Sequence, residues 1–199
     1  MDDIQAREIF DSLLSPSTAN DDWDRILEQL LAEGDAAVRV LADRLQTGTD
    51  AERELAATTF ALLGPQAAPA SQTLIAALAD PLPFVRANVA ATLVQLPDCT
   101  ADAVPALIQL LHADDPQLRQ MAAVNLNAAG MATVSHVESL KQALSQNQSE
   151  EVLTPMVELL GRLGKPAESA LPELQKIAFE QSGELGAAAT SAIQQINAK

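Results

Sequence analysis

Leu41, Leu74, Leu107, Leu140 and Leu174 stand 33, 33, 33 and 34 residues apart. A fixed period of this length marks a structural unit copied along the chain, each copy too small to bury its own apolar face and so obliged to pack on its neighbours. Four residues after each anchor comes Leu45, Leu78, Leu111, Leu144 or Ala178, and an i, i+4 apolar pair lies on one face of a helix. Fifteen and nineteen residues beyond the anchors stand Ala56 and Phe60, Val89 and Leu93, Ala122 and Leu126, Pro155 and Leu159, and Ala189 and Ile193. These positions are again four apart, so each unit holds a second amphipathic helix.

Short breaker segments punctuate the helices. Thr47-Gly48-Thr49-Asp50, Asp80-Pro81-Leu82-Pro83, Asp114-Asp115-Pro116 and Gln181-Ser182-Gly183 lie within units; Gly64-Pro65, Pro97-Asp98, Gly130 and Gly164-Lys165-Pro166 lie between them. Glycine, proline and aspartate at such places suit helix stops and starts. Apolar positions follow a three-and-four spacing rather than strict alternation, so no strand is expected. The sequence therefore predicts an all-α chain, an α-α superhelix of about six helix pairs forming one domain over residues 1–199. Residues 1–34 read as a divergent N-terminal capping pair, with Ile4, Phe10, Leu13 and Leu14 on one helix and Trp23, Ile26, Leu27, Leu30 and Leu31 on the other. Residues 35–199 read as five repeats. Pro155 falls inside the second helix of the fourth unit, where the missing N–H is expected to kink or delay it.

Aromatic residues are 3% of the chain, with no Tyr and one Trp, so Leu, Val, Ile and Ala must fill the core. Twenty-seven acidic against twelve basic residues give a net charge of −15, which opposes attraction to phosphate backbones or anionic lipid. No nucleic-acid and no membrane partner is expected. Residues 1–54 carry fourteen of the acidic and five of the basic side chains. Asp21, Asp22 and Asp24 suit the positive end of a helix, and the excess also leaves room for a basic partner. Cys99 is the only cysteine, and Met1-Asp2-Asp3 lacks the basic start of a signal peptide; a cytoplasmic location is the resulting expectation.

The repeat length alone also suits ankyrin and tetratricopeptide units. The ankyrin Thr-Pro-Leu-His turn is absent, and a chain without tyrosine does not supply the tetratricopeptide aromatic set. What recurs is a Pro-x-Leu first helix, an acidic turn, then Val-Arg or Leu-Arg followed by small residues. It runs as Pro105-Ala106-Leu107, Asp114-Asp115-Pro116-Gln117-Leu118-Arg119 and Ala122-Ala123, and again as Asp80, Phe84-Val85-Arg86 and Ala90-Ala91. This resembles the HEAT-like repeat over residues 35–199. The resemblance implies a structural ladder between adjacent repeats, in which a turn aspartate such as Asp80 meets Arg53, Arg86 or Arg119. Val152 and Gly186 replace that arginine in the last two units.

The resemblance further implies a non-catalytic scaffold or adaptor that binds a protein partner through the concave row of second helices. Positions fourteen and eighteen beyond the anchors read Leu55 and Thr59, Asn88 and Thr92, Met121 and Asn125, Thr154 and Glu158, then Ala188 and Ala192. Asn88, Thr92, Met121, Asn125 and Glu158 are the candidate partner-binding residues, with amides and hydroxyls for hydrogen bonds and Met121 as an adaptable apolar contact. The competing reading is an ordinary solvated helix face. HEAT-like repeats also occur in bilin lyase subunits, which would imply a tetrapyrrole or its carrier protein as ligand. They occur too in alkylpurine DNA glycosylases, whose basic, aromatic groove this acidic chain lacks.

No catalytic constellation stands out. His112 and His136 are isolated, no His-x-x-x-His or Cys-x-x-Cys spacing occurs, and metal binding needs three or four convergent ligands. No metal, no cofactor and no enzymatic activity are expected. In the last helix, exposed alanines around Ala187, Ala188, Ala189 and Ala192 would permit weak self-association of two copies.

Overall fold

The computed structural model describes residues 3–15, 20–147 and 149–198, and the side chains of Asn20 and Asp21 lie outside that description. The helix-start role expected of Asp21 therefore falls outside the described residues. Among the described residues there are twelve α-helices and no strand, which is the all-α helical-repeat fold that the periodicity dictates. The chain divides into two compact units, residues 1–99 and 100–199.

The first unit contains α1 (Asp3–Leu13), α2 (Asn20–Ala32), α3 (Asp35–Thr47), α4 (Asp50–Leu63), α5 (Ser71–Ala77) and α6 (Pro83–Val94). Helix α3 packs on α4 and α5, and α4 packs on α6. Anchors Leu41 and Leu74 and second-helix residues Ala56, Phe60, Val89 and Leu93 are completely buried. In the capping pair Phe10, Leu13, Leu27 and Leu30 are buried, but Ile4 is 72% exposed in the first turn of α1, which α3 holds through Arg39 on Asp3. Arg44 ties the cap to the repeats. It donates from Nη2 to Asp11 Oδ1 at 2.9 Å and from Nη1 to Glu52 Oε1 at 2.8 Å, and its guanidinium lies 5.8 Å from the centre of the Phe10 ring.

Helix α4 starts with a reciprocal cap. The Glu52 backbone N–H donates to Thr49 Oγ1, and the Thr49 N–H donates to Glu52 Oε2 at 2.7 Å, satisfying two helix-start donors at once. That Thr49 N–H, with the Thr49 hydroxyl second, holds the Glu52 carboxyl below its ordinary value. A carboxylate whose folded-state value is depressed contributes stability above its unfolded value and loses it as pH falls through the folded one. Glu52→Gln is accordingly expected to cost about 1 kcal/mol near neutral pH, and the difference from the parent protein should close as pH drops below about 4. Urea unfolding at neutral and acidic pH checks this; a gap that stays constant with pH refutes it.

The second unit contains α7 (Thr100–Leu110), α8 (Pro116–Ala129), α9 (Val137–Gln146), α10 (Glu150–Leu163), α11 (Leu171–Glu180) and α12 (Gly183–Asn197). Second helices α8, α10 and α12 stack side by side, and first helices α7 and α11 pack against α8 and α12. Leu107, Leu140, Leu174, Leu126 and Leu159 are completely buried. Ile193, expected in the core, is half-buried in α12, the last of the described helices. Pro155 lies inside α10, yet α10 has the same 14 residues as α4 and α8. It begins ten residues after its anchor, where the other four second helices of the repeats begin nine after theirs, and it is not shortened.

Between consecutive repeats within each unit the chain runs through short 3-10 turns, Gly64–Ala70, Gly130–His136 and Lys165–Ala170. Each second helix before them ends on a glycine with positive φ, as at Gly64 (56°) and Gly130 (52°), a conformation that L side chains resist. At Gly161 a different demand applies: a Cβ there would come 2.9 Å from Ala192 Cα, so α10 and α12 approach more closely than any larger residue allows. Ala189 and Ala192 are buried in this contact. The alanines expected to form a free surface on α12 thus serve packing within the unit, and Ala187 remains exposed.

Candidate functional site

Two sets of side chains carry the polar organisation of the repeats: the arginines at the start of the second helices, and the side of the second helices that the first helices leave uncovered.

Arg53, near the start of α4, donates from Nε to Asp80 Oδ2 at 2.8 Å across to the following turn, and from Nη2 to Asp50 Oδ1 at 2.9 Å. Asp80 Oδ1 accepts the Leu82 N–H at 2.8 Å. The pair is largely enclosed, with 15% of the Arg53 and 7% of the Asp80 side chain exposed, and hydrogen bonding to Asp80 holds the guanidinium above its ordinary value. This is the inter-repeat ladder expected for Arg53 and Asp80. Arg86 and Arg119 behave differently. Arg86 Nη1 donates to the Asp80 and Pro81 carbonyls at 2.7 and 3.0 Å, and Arg119 Nη1 to those of Ala113 and Asp114 at 2.7 and 2.8 Å. Each braces the turn just before its own helix. Within the second unit, Gln146 stands where Asp80's register would place an acid, so Arg119 forms no ion pair among the described residues.

On the uncovered side of α4 and α6, Asn88 Nδ2 donates to Thr58 Oγ1 at 3.2 Å, and Gln95 Nε2 reaches the Ala61 carbonyl at 3.4 Å. Thr92 is completely buried, and its hydroxyl donates to the Asn88 carbonyl at 2.9 Å. The expectation that Thr92 offers a surface hydroxyl is therefore corrected: position eighteen turns inward where neighbouring helices pack closely, and a threonine there satisfies itself on its own helix. Thr59 does the same with the Leu55 carbonyl.

On the uncovered side of α8, α10 and α12, Met121 and Asn125 are half-buried and Glu158 is exposed. Asn125 Nδ2 is turned back on the Met121 carbonyl at 2.8 Å. Glu158 joins two residues outside the expected set: Asn127 Nδ2 donates to its Oε2 at 3.0 Å, and Arg162 Nη2 donates to the Asn127 carbonyl and side-chain oxygens. Beside this network, a cavity of about 370 Å³ is lined by Asn127, Glu158, Arg162, Ala188, Ser191, Ala192 and Gln195. Arg162 lies one turn beyond Glu158, so extending the row by four residues would have found it in the sequence. Asn127 sits between the counted positions and carried no periodic signal.

Cys99 is half-buried, His112 lines the cavity beside Arg119, and His136 Nδ1 lies 3.0 Å from Ser135 Oγ. Among the described residues no three His, Cys, Asp or Glu side chains converge as a metal site, and no helix is long and apolar enough to cross a membrane.

A family model of HEAT repeats matches residues 38–127. No curated protein matches the sequence. Among solved structures, a designed armadillo repeat protein in complex with the peptide (KR)4 is similar over 96% of this chain and 99% of its own, with a TM-score of 0.73 at 15% identity. An engineered protein from a structural genomics consortium is similar over 98% of this chain and 89% of its own, with a TM-score of 0.65 at 21% identity. A second such engineered protein has a TM-score of 0.68 at 18% identity, over 97% of this chain and 58% of its own.

Proposed function

Residues 38–127 of this chain are HEAT repeats within an all-helical repeat fold, and from that premise we propose that the protein is a non-catalytic scaffold or adaptor that binds a protein partner on the uncovered side of its second helices. The observation that carries this reading is the Asn127–Glu158–Arg162 network beside its cavity of about 370 Å³ on α8, α10 and α12. A row of paired amides, a carboxylate and a guanidinium next to a concavity offers hydrogen bonds of both polarities, and Val124, 52% exposed on α8, adds apolar area. Polar groups around an apolar contact are the composition of a recognition surface. Asn88 on α6 offers a second amide, its Nδ2 already held by Thr58. The armadillo repeat protein of similar fold holds a basic peptide, and a net charge of −15 favours a basic partner here by the same electrostatic logic.

Affinity purification with the intact chain, followed by mass spectrometry and a measured dissociation constant for the recovered partner, tests the reading. Asn125→Ala and Glu158→Ala should each weaken that partner about tenfold, as central interface residues do, with helicity unchanged. Parent-like affinity in both variants sinks the proposal.

A further inference from the structure

Three cavities recur at one place in the repeat, where the end of a first helix meets the turn of the following unit. In the first, about 430 Å³, Leu45, Gln46, Thr73 and Asp80 surround Arg53, whose guanidinium is paired with Asp80. In the second, Arg119 lies beside Gln146 and Asn147. The third, about 340 Å³, lies between α9 and α11 and is lined by Leu144, Leu153, Ile177, Glu173, Lys176 and Glu180 among others. Counted from the anchors Leu140 and Leu174, Glu180 occupies the register of Asp80 and Glu173 that of Thr73. The register of Arg53 is taken by Val152, which is buried. The third cavity therefore keeps the acid of the ladder, adds a second, and supplies no arginine of its own.

Two further observations point outward from it. Glu173 Oε2 is shielded from solvent and has no hydrogen-bond partner, an arrangement that costs desolvation energy unless a donor arrives. Phe179 is 91% exposed and stands in the register of Ala79, which lines the first cavity. Phe179 directly precedes Glu180 in the chain, and a guanidinium can stack on an aromatic face while it hydrogen-bonds to a carboxylate. The nearby cations do not fill this role. Lys141 hydrogen-bonds to Glu138 at 2.6 Å and reaches Glu173 only as a longer-range attraction, and Lys176, on the same helix as both glutamates, makes no ion pair among the described residues.

We propose that this cavity binds the arginine side chain of a protein partner, whose guanidinium takes the place that Arg53 fills in the first unit, with Glu173 and Glu180 as its acceptors and Phe179 at its rim. The site lies at the turn edge of the repeats, so it stands or falls independently of the uncovered second-helix side.

Methyl-detected NMR on the full chain tests it with N-acetyl-arginine methylamide as probe and N-acetyl-norleucine methylamide as the uncharged control. The arginine probe should give saturable shifts at Leu144, Leu153 and Ile177, and none at Val124 or the methyls beside Glu158. The double variant Glu173→Gln, Glu180→Gln should weaken it about tenfold, the loss expected for charge-assisted hydrogen bonds. Equal shifts with norleucine, unsaturable shifts, or unchanged binding by the glutamine variant would each overturn the assignment.

Discussion

Leu107→Ala should lower the stability of the protein by about 2–5 kcal/mol, the range for truncating a fully buried leucine. Leu107 is completely buried in α7, which packs on α8, on the 3-10 turn Gly130–His136 and on α9. Truncation removes three carbons from a position that those three elements share. Relaxation is limited because the surrounding positions are already small: Ala103, Ala106, Ala122 and Ala123 are buried nearby in sequence on α7 and α8, and alanines have no side-chain freedom with which to refill a gap. The outcome should therefore fall in the upper half of the range. Chemical denaturation followed by circular dichroism measures the loss. Trp23, the only tryptophan, reports the 1–99 unit by fluorescence. Repeat arrays pass such losses to nearest neighbours with decreasing effect, so the Trp23 transition should shift less than the ellipticity. A loss below about 1 kcal/mol would mean that the anchor position is not the packing centre its burial implies.

The anchors were legible because burial in stacked repeats imposes one periodicity on every copy. A leucine at each 33- or 34-residue step can only be a shared core position, and all five are buried. Legibility failed where the periodic environment ends or where a side chain satisfies itself. Ile193 follows the pattern but is only half-buried in α12, the last of the described helices. Thr92 has a polar formula and a position that counts as outward, yet its hydroxyl reaches the carbonyl four residues back and lets the residue enter the core. Asn127 joins the Glu158 network from an off-register position because the α8 and α10 backbones lie close enough for a short amide to bridge them. Sequence spacing records which face a residue is on; it does not record the distance between helices.

The arginine series shows the same distinction in charge rather than packing. Their shared register implies one role for Arg53, Arg86 and Arg119, and their local partners give them two. The difference lies in a single residue of the following turn. Asp80 lies within reach of Arg53, whereas Gln146 at the corresponding place offers Arg119 no charge. All three arginines donate to a carbonyl of the turn before their own helix, Arg53 to that of Gly48, and of the three only Arg53 adds a carboxylate of the following turn. Neutral acceptors give weaker bonds than a carboxylate does, so the ladder should contribute unequally along the chain.

Asp80→Ala should therefore be the most damaging polar substitution, at about 2–3 kcal/mol, the cost of losing charge-assisted hydrogen bonds in an enclosed pair, with the exposed Asp50 left as the carboxylate partner of Arg53. Asp80 does two jobs with its two oxygens, accepting the Leu82 N–H at the start of α6 and the Arg53 Nε–H from α4. Asp80→Asn separates them. An asparagine oxygen still accepts the Leu82 N–H, so this variant should lose only the charge-dependent part, about half of the total. Arg53→Met keeps the apolar stem and leaves Asp80 enclosed without a cation, and should approach the alanine variant in cost. The double variant Arg53→Met, Asp80→Asn should then be less damaging than the sum of the singles by about 1–2 kcal/mol, because neither partner remains unpaired. Thermal or urea unfolding of the four proteins closes the cycle. Strict additivity would mean that solvent screens the pair despite its enclosure, and that the α4–α6 contact rests on Phe60, Val89 and Leu93 alone.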